Sequence, residues 1–152
     1  MESVVIRRAR AHEAASITEL ALRSKAHWGY DEAFMRQVAD ELTVTPEMVH
    51  GCEVVVAERA GRLLGFYILQ GRPPVGELKA LFVEPVAMGR QVGRMLLEHA
   101  KNVARAHGFT SLKVDSDPHA EGFYLKMGAV KIGKVPSGSI PGRFLPMLKI
   151  EV

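Results

Sequence analysis

The sequence predicts an α+β fold in which a mixed, mostly antiparallel central sheet is flanked by helices. Three observations predict it. The chain has 152 residues, 47% of them apolar and 24% charged, and no linker, low-complexity stretch or repeat interrupts it, so residues 1–152 read as a single domain with a buried core. Strand-like and helix-like patterns follow one another in mixed runs rather than strict alternation, which favours antiparallel pairing. After Pro85 the apolar period changes from two to helical spacing, so a strand-helix-strand unit near the middle supplies a local parallel pair.

Residues 4–8 form a short β-rich start. Across 11–25, Ile17, Leu20 and Ala21 sit at helical spacing. Asp31 is a candidate N-cap for a second helix with the inward stripe Phe34, Val38 and Leu42, and Thr45-Pro46 reads as an N-cap followed by proline at a first helical position. Residues 52–57 and 63–70 are β-branched or aromatic runs separated by Ala60-Gly61, the pattern of a hairpin. Residues 71–76, with Pro73-Pro74, break the chain, and 78–83 is a third strong strand. Val92, Leu96, His99 and Val103 mark one face of a long amphipathic helix ending at Gly108. Residues 112–115 form a strand, 118–127 a short helix closed by Gly128, and 129–135 and 144–150 late strands around a Pro/Gly-rich loop. The predicted order is β-α-α-β-β-β-α-β-α-β-β.

Composition excludes several classes of function. A lone cysteine, Cys52, allows neither an internal disulfide nor an all-cysteine metal site, and it falls in a strand run that reads as buried. The longest run without Asp, Glu, Lys or Arg is 63–71, far short of a membrane helix. The start MESVVIRRAR lacks the apolar stretch of a secretory signal, so a soluble, cytoplasmic protein is expected. The net charge is +3, and it lies unevenly: residues 1–76 carry 9 Lys+Arg against 10 Asp+Glu, and 77–152 carry 11 against 7. No basic run is interleaved with aromatics, so a small polyanionic ligand on the second half fits better than nucleic acid. The six histidines, His12, His27, His50, His99, His107 and His119, form no metal-ligand spacing, and no G-x-S-x-G elbow is present.

The informative junction lies between the strand ending near 84 and the helix that follows, spanned by MGRQVGR. A helix N-terminus offers free N–H groups and the positive end of its dipole to an anion. Gly89 and Gly93 allow close approach, and Arg90 and Arg94 add charge; alternatively, Gly93 serves helix-to-sheet packing alone. The motif is neither a P-loop nor a dinucleotide fingerprint.

LFVEP followed by MGRQVG resembles the core pattern of the GNAT N-acetyltransferase superfamily, Arg/Gln-x-x-Gly-x-Gly/Ala after a strand ending in valine-x-proline. Gly93 and the following Arg-x-Leu-Leu fit; Met88 replaces the usual Arg or Gln, and Gln91 the usual middle Gly. A second block, DSDPHAEGFYLKMGAVKIG, resembles the family's Asn-x-x-Ala-x-x-Phe-Tyr-x-Lys-x-Gly-Phe, with Phe123-Tyr124, Lys126 and Gly128 in register. Asp117, Pro118 and His119 stand where an Asn commonly bonds the pantetheine arm, and His119 is the candidate donor there.

The resemblance implies a GNAT-like fold and an enzyme that takes acetyl-CoA as cosubstrate, without a metal, and acetylates a primary amine of a small molecule or peptide in a ternary complex. It also implies that Leu81, Phe82, Val83, Met88, Gly89, Arg90, Gln91, Val92, Gly93, Arg94, His119, Phe123 and Lys126 bind the cosubstrate, with main-chain N–H groups around 81–83 facing the thioester oxygen. Acetyl transfer needs a neutral amine, a stabilised oxyanion and a proton for the departing thiolate. By resemblance Tyr124 is the general acid and Glu77 the base; the alternatives are a packing aromatic and an ordinary strand-start carboxylate beside Lys79. Trp28 and Tyr30, in the 25–31 connection, are expected to line the acceptor site, and Arg143 to pair with an acceptor carboxylate. A non-catalytic acyl-CoA-binding or sensing module on the same fold is the rival reading. A homodimer is expected from the family and from apolar late strands whose edges need covering.

Overall fold

A computed structural model of the chain describes residues 3–152. Among these residues, seven strands make one sheet in the order β1-β2-β3-β4-β5-β7-β6. They are β1 Val5–Arg8, β2 Glu53–Arg59, β3 Arg62–Arg72, β4 Val75–Val83, β5 Ser111–Asp115, β6 Val130–Pro136 and β7 Phe144–Glu151. The helices are α1 Ala14–Ala26, α2 Glu32–Leu42, α3 Pro46–Gly51, α4 Val92–Ala106 and α5 Glu121–Lys126. Every neighbouring pair is antiparallel except β4 and β5, which run parallel, as the α+β reading requires.

The helix starts follow their caps: Asp31 accepts from the Phe34 N–H, and Thr45 from the Met48 N–H with Pro46 next in line. The expected break at 71–76 is instead a tight hairpin. β3 and β4 stay paired as far as Arg72 with Val75, so only Pro73-Pro74 lie outside the ladder, where a missing N–H costs no ladder bond. Cys52 precedes β2 rather than lying inside it, and it is half-buried.

The sheet separates two apolar layers. Ile17, Leu20 and Ala21 of α1 pack with Val54, Val56, Phe66 and Ile68 on one face. On the other, Val92, Leu96, Leu97, Ala100 and Ala104 of α4 pack with Val55, Tyr67, Leu69, Leu78 and Leu112. The buried stripe of α4 is therefore rotated slightly from the predicted one: His99 is half-buried, with Nδ1 2.8 Å from the hydroxyl of the buried Tyr67. Gly65 sets how closely α4 lies on β3, since a Cβ there would stand 2.9 Å from both Leu96 Cδ1 and the Phe82 carbonyl oxygen. In α2 only Val38 of the expected stripe is fully buried. Among the described residues, no helix is long and apolar enough to cross a membrane.

Candidate active site

The site originates in a pairing that stops early. β4 and β5 are matched only over Val75 with Ser111, Gly76 with Leu112 and Glu77 with Lys113. Immediately beyond, a bulge sets Leu78 opposite Leu69 and Ala80 opposite Ile68, leaving Lys79 as the extra residue. The rest of β4 has no ladder partner on the β5 side, so main-chain groups along 78–83 face an open wedge between the strands. A cleft of about 1270 Å³ fills this wedge and extends towards α1, α2 and the β6-β7 loop.

One end of the cleft is the start of α4. Gly89 and Gln91 take left-handed backbone angles, φ +77° and +70°, which turn the chain sharply into the helix. No side chain caps α4, so the N–H groups of its first turn remain free. Leu81, Phe82, Val83, Met88, Gly89, Gln91, Gly93, Arg94, His119, Phe123 and Lys126 all line the cleft. Two residues of the expected cosubstrate set do not. Arg90 is exposed and outside the cleft, and the Val92 side chain is core, leaving only its N–H on the helix start. A Cβ at Gly93 would stand 3.4 Å from the Phe123 ring and 3.6 Å from Val83 Cγ2, ordinary packing distances, so the first turn of α4 lies directly against these two cleft walls.

Tyr124 lies in the cleft wall and is 5% exposed. Tyr124 is the most buried residue of α5, with Phe123 and Met127 partly buried beside it. Its hydroxyl has no hydrogen-bond partner among the described residues, and burial raises its pKa well above the ordinary phenol value. It is therefore a protonated donor at neutral pH. Glu77 stands where β4 leaves β5 and also lines the cleft; its Oε1 accepts from Gln70 Nε2 at 2.6 Å, and Gln70 Oε1 lies 3.7 Å from Cys52 Sγ. Lys79 makes no ion pair with Glu77, because the bulge interrupts the alternation that would have set them on one face. Cys52 does not line the cleft.

The three residues expected at the acceptor are brought together by a carboxylate that sequence reasoning assigned elsewhere. Asp117 Oδ2 accepts from Lys25 Nζ at 2.5 Å and from the Tyr30 hydroxyl at 2.9 Å. Arg143 Nη2 donates to the Tyr30 oxygen at 2.7 Å and lies 3.7 Å from Asp117. The His119 N–H donates to Asp117 Oδ1, and His119 Nδ1 is 3.0 Å from the same oxygen. Burial alone would raise the Asp117 pKa, but these donors outweigh it and hold the carboxyl at about 2. Burial and Asp117 push Tyr30 up to about 12. Trp28 lines the cleft; Tyr30 and Arg143 do not, and the Arg143 guanidinium is directed to Tyr30 and Asp117 rather than into the cavity. No sequence signal pairs Lys25 with Asp117, which are 92 residues apart. Among the described residues, no cluster of side chains could hold a metal ion.

The family profile described as Acetyltransferase (GNAT) family matches residues 14–129, which include every strand and helix from α1 to α5 except β1, β6 and β7. The chain belongs to the GNAT acetyltransferase family. Its relatives include the peptidyl-lysine N-acetyltransferase YjaB of Salmonella typhimurium, 33% identical over 57% of this chain and 55% of that protein. The chain thus spans about half the length of that curated relative; against the 5-NmdU N-acetyltransferase of Pseudomonas phage PaMx11 it is 28% identical over 96% of this chain and 98% of that one. Among solved structures, the PaiA N-acetyltransferase of Thermoplasma acidophilum, crystallised with coenzyme A, superposes with a TM-score of 0.81 at 18% identity, covering 99% of each chain.

Proposed function

We propose that this GNAT protein transfers the acetyl group of acetyl-CoA directly to a primary amine of a small molecule or peptide. The observation that carries the reading is the wedge between β4 and β5, with the uncapped start of α4 at one end and the unpartnered Tyr124 hydroxyl in its wall. These residues fit the cosubstrate. Free N–H groups at 92–94, with Arg94 beside them, suit a pyrophosphate. The unpaired edge of β4 suits an extended arm bearing amides, and Leu81, Phe82, Val83 and Phe123 supply its apolar walls. Acetyl-CoA supplies the acyl group already activated as a thioester.

The chain's own residues then divide the work. Glu77 takes the amine proton, directly or through water, while Gln70 holds its carboxylate in place. Main-chain N–H groups along 81–83 stabilise charge on the thioester oxygen. As the new C–N bond forms and the C–S bond breaks, Tyr124 gives its proton to the departing sulfur. Cys52 lies outside the cleft, which supports direct transfer over an acetyl-cysteine route. The peptidyl-lysine and 5-NmdU relatives support a peptide or small-molecule amine as acceptor, with Trp28 lining its end of the cleft. The exposed Val130 and Ile132 on the edge strand β6 support a homodimer, and a cytoplasmic location completes the proposal.

Thermal unfolding with acetyl-CoA, against ATP and NADH at equal concentration, tests the reading. At a hundredfold excess over Kd the ligand adds about 2.7 kcal/mol, or roughly 5–10 °C in Tm for a chain of this size. A selective shift followed by thiol release with amines supports it. An equal shift with all three ligands, or none, overturns it, and a selective shift without thiol release from any amine favours a binding module.

A further inference from the structure

We propose that Asp117 is a positioning residue for the acceptor wall: its single carboxylate gathers three loops and holds Trp28 in the cleft. The loops arrive from distant parts of the chain. Lys25 lies in the last turn of α1 and Tyr30 belongs to the α1-α2 connection, while His119 follows β5 and Arg143 precedes β7. Asp117 bonds to the first three directly and to Arg143 through the Tyr30 hydroxyl.

The carboxylate is necessary because the partners do not cohere without it. Lys25 Nζ and Arg143 Cζ both lie near the Tyr30 and Phe34 rings, at 5.4 and 5.9 Å and at 5.2 and 4.8 Å respectively. With Asp117 neutral, two cations would share this pocket with no anion between them. The Lys25 and Asp117 side chains are each 11% exposed, so water replaces little of what is lost.

The consequence at the cleft runs through His119. Its Nδ1 faces Asp117 and Tyr30, which fixes the ring plane, and Trp28 stacks on that ring at 5.1 Å with 5° between the planes. Trp28 lines the cavity and is 39% exposed, so a fixed indole edge borders the space left for the amine. The kinetic part of this proposal rests on the acetyltransferase reading; the placement of Trp28 does not.

Trp28 is the only tryptophan in the chain, so its fluorescence reports the arrangement directly. In Asp117→Asn, which keeps the side-chain shape and the His119 N–H contact, the emission is expected to shift to the red and acrylamide quenching to rise at least twofold. The amine KM is expected to rise about tenfold, the equivalent of about 1.4 kcal/mol, and at least fivefold more than the acetyl-CoA KM. Tyr30→Phe, which removes one donor and lies outside the cleft, is expected to show the same changes at smaller amplitude and decides the matter if Asp117→Asn does not fold. Unchanged emission in both variants, or an equal rise in both KM values, would overturn the proposal. A wild-type protein that fails the acetyl-CoA test would instead overturn the activity, while the emission still decides whether Asp117 places Trp28.

Discussion

Replacing Tyr124 by Phe separates chemistry from packing more cleanly than any other single change. The ring is 5% exposed and its hydroxyl bonds to no described residue, so Phe keeps the packed surface and removes no protein hydrogen bond. The stability cost should therefore stay below about 1 kcal/mol, within the range of a conservative swap. Turnover is different. A positioned general acid contributes about 10²- to 10⁴-fold, equal to roughly 3–5 kcal/mol of barrier at 1.36 kcal/mol per decade. Because burial raises the phenol's pKa, the donor stays protonated through the usual assay range, and no alkaline loss of kcat arises from Tyr124 below about pH 10. The assay is thiol release at saturating acetyl-CoA from pH 6 to 10, with Tm followed in parallel. A Tyr124→Phe enzyme with unchanged Tm and kcat within threefold of wild type would refute the role and leave Tyr124 as packing. A large fall in Tm would refute the premise that the hydroxyl is structurally idle.

Glu77→Gln should lower kcat/KM most below the amine's own pKa, and the deficit should narrow as rising pH neutralises the amine without help; a pH-rate profile parallel to wild type would remove Glu77 as the base. Lys25→Met should destabilise the fold by about 3 kcal/mol, the low end for breaking a buried ion pair because Asp117 keeps other donors, or roughly 6–12 °C in Tm. The sign with pH follows from Asp117, whose pKa falls from 3.8 unfolded to about 2 folded. Its contribution, about 2 kcal/mol, is fully present above pH 4 and lost as pH falls through 2. The wild-type advantage over Lys25→Met should therefore shrink between pH 4 and 2 in thermal scans, and a constant difference would count against the pair.

The parts legible in the sequence are those that short-range physics fixes. β-branched runs gave the hairpin of β2 and β3, caps at Asp31 and Thr45 gave the starts of α2 and α3, and the glycines of MGRQVGR marked the start of α4. Three features were not legible, for separate reasons. Pro73-Pro74 read as a break because prolines disrupt ladders, whereas both fall in the one place a tight hairpin leaves unpaired. The bulge at Lys79 depends on which β3 residues face β4, so the expected Glu77–Lys79 juxtaposition failed with it. Arg143 read as a free cation awaiting a carboxylate, and it had one already, reached through Tyr30, 113 residues away in sequence.

The engagement of Arg143 bears on specificity. With Arg143 engaged by Tyr30 and Asp117, its guanidinium does not line the cleft, while Asp40, Glu41 and Glu77, together with Lys79, line it and form no ion pair among the described residues. The same carboxylate that fixes Trp28 thus withdraws the positive charge an acidic acceptor would need. Lys25, Asp117 and His119 of this network line the cleft together with Trp28, whereas Tyr30 and Arg143 brace them from outside it. Acceptor preference should accordingly respond to changes at Asp117 and Tyr30 as readily as to changes at Trp28.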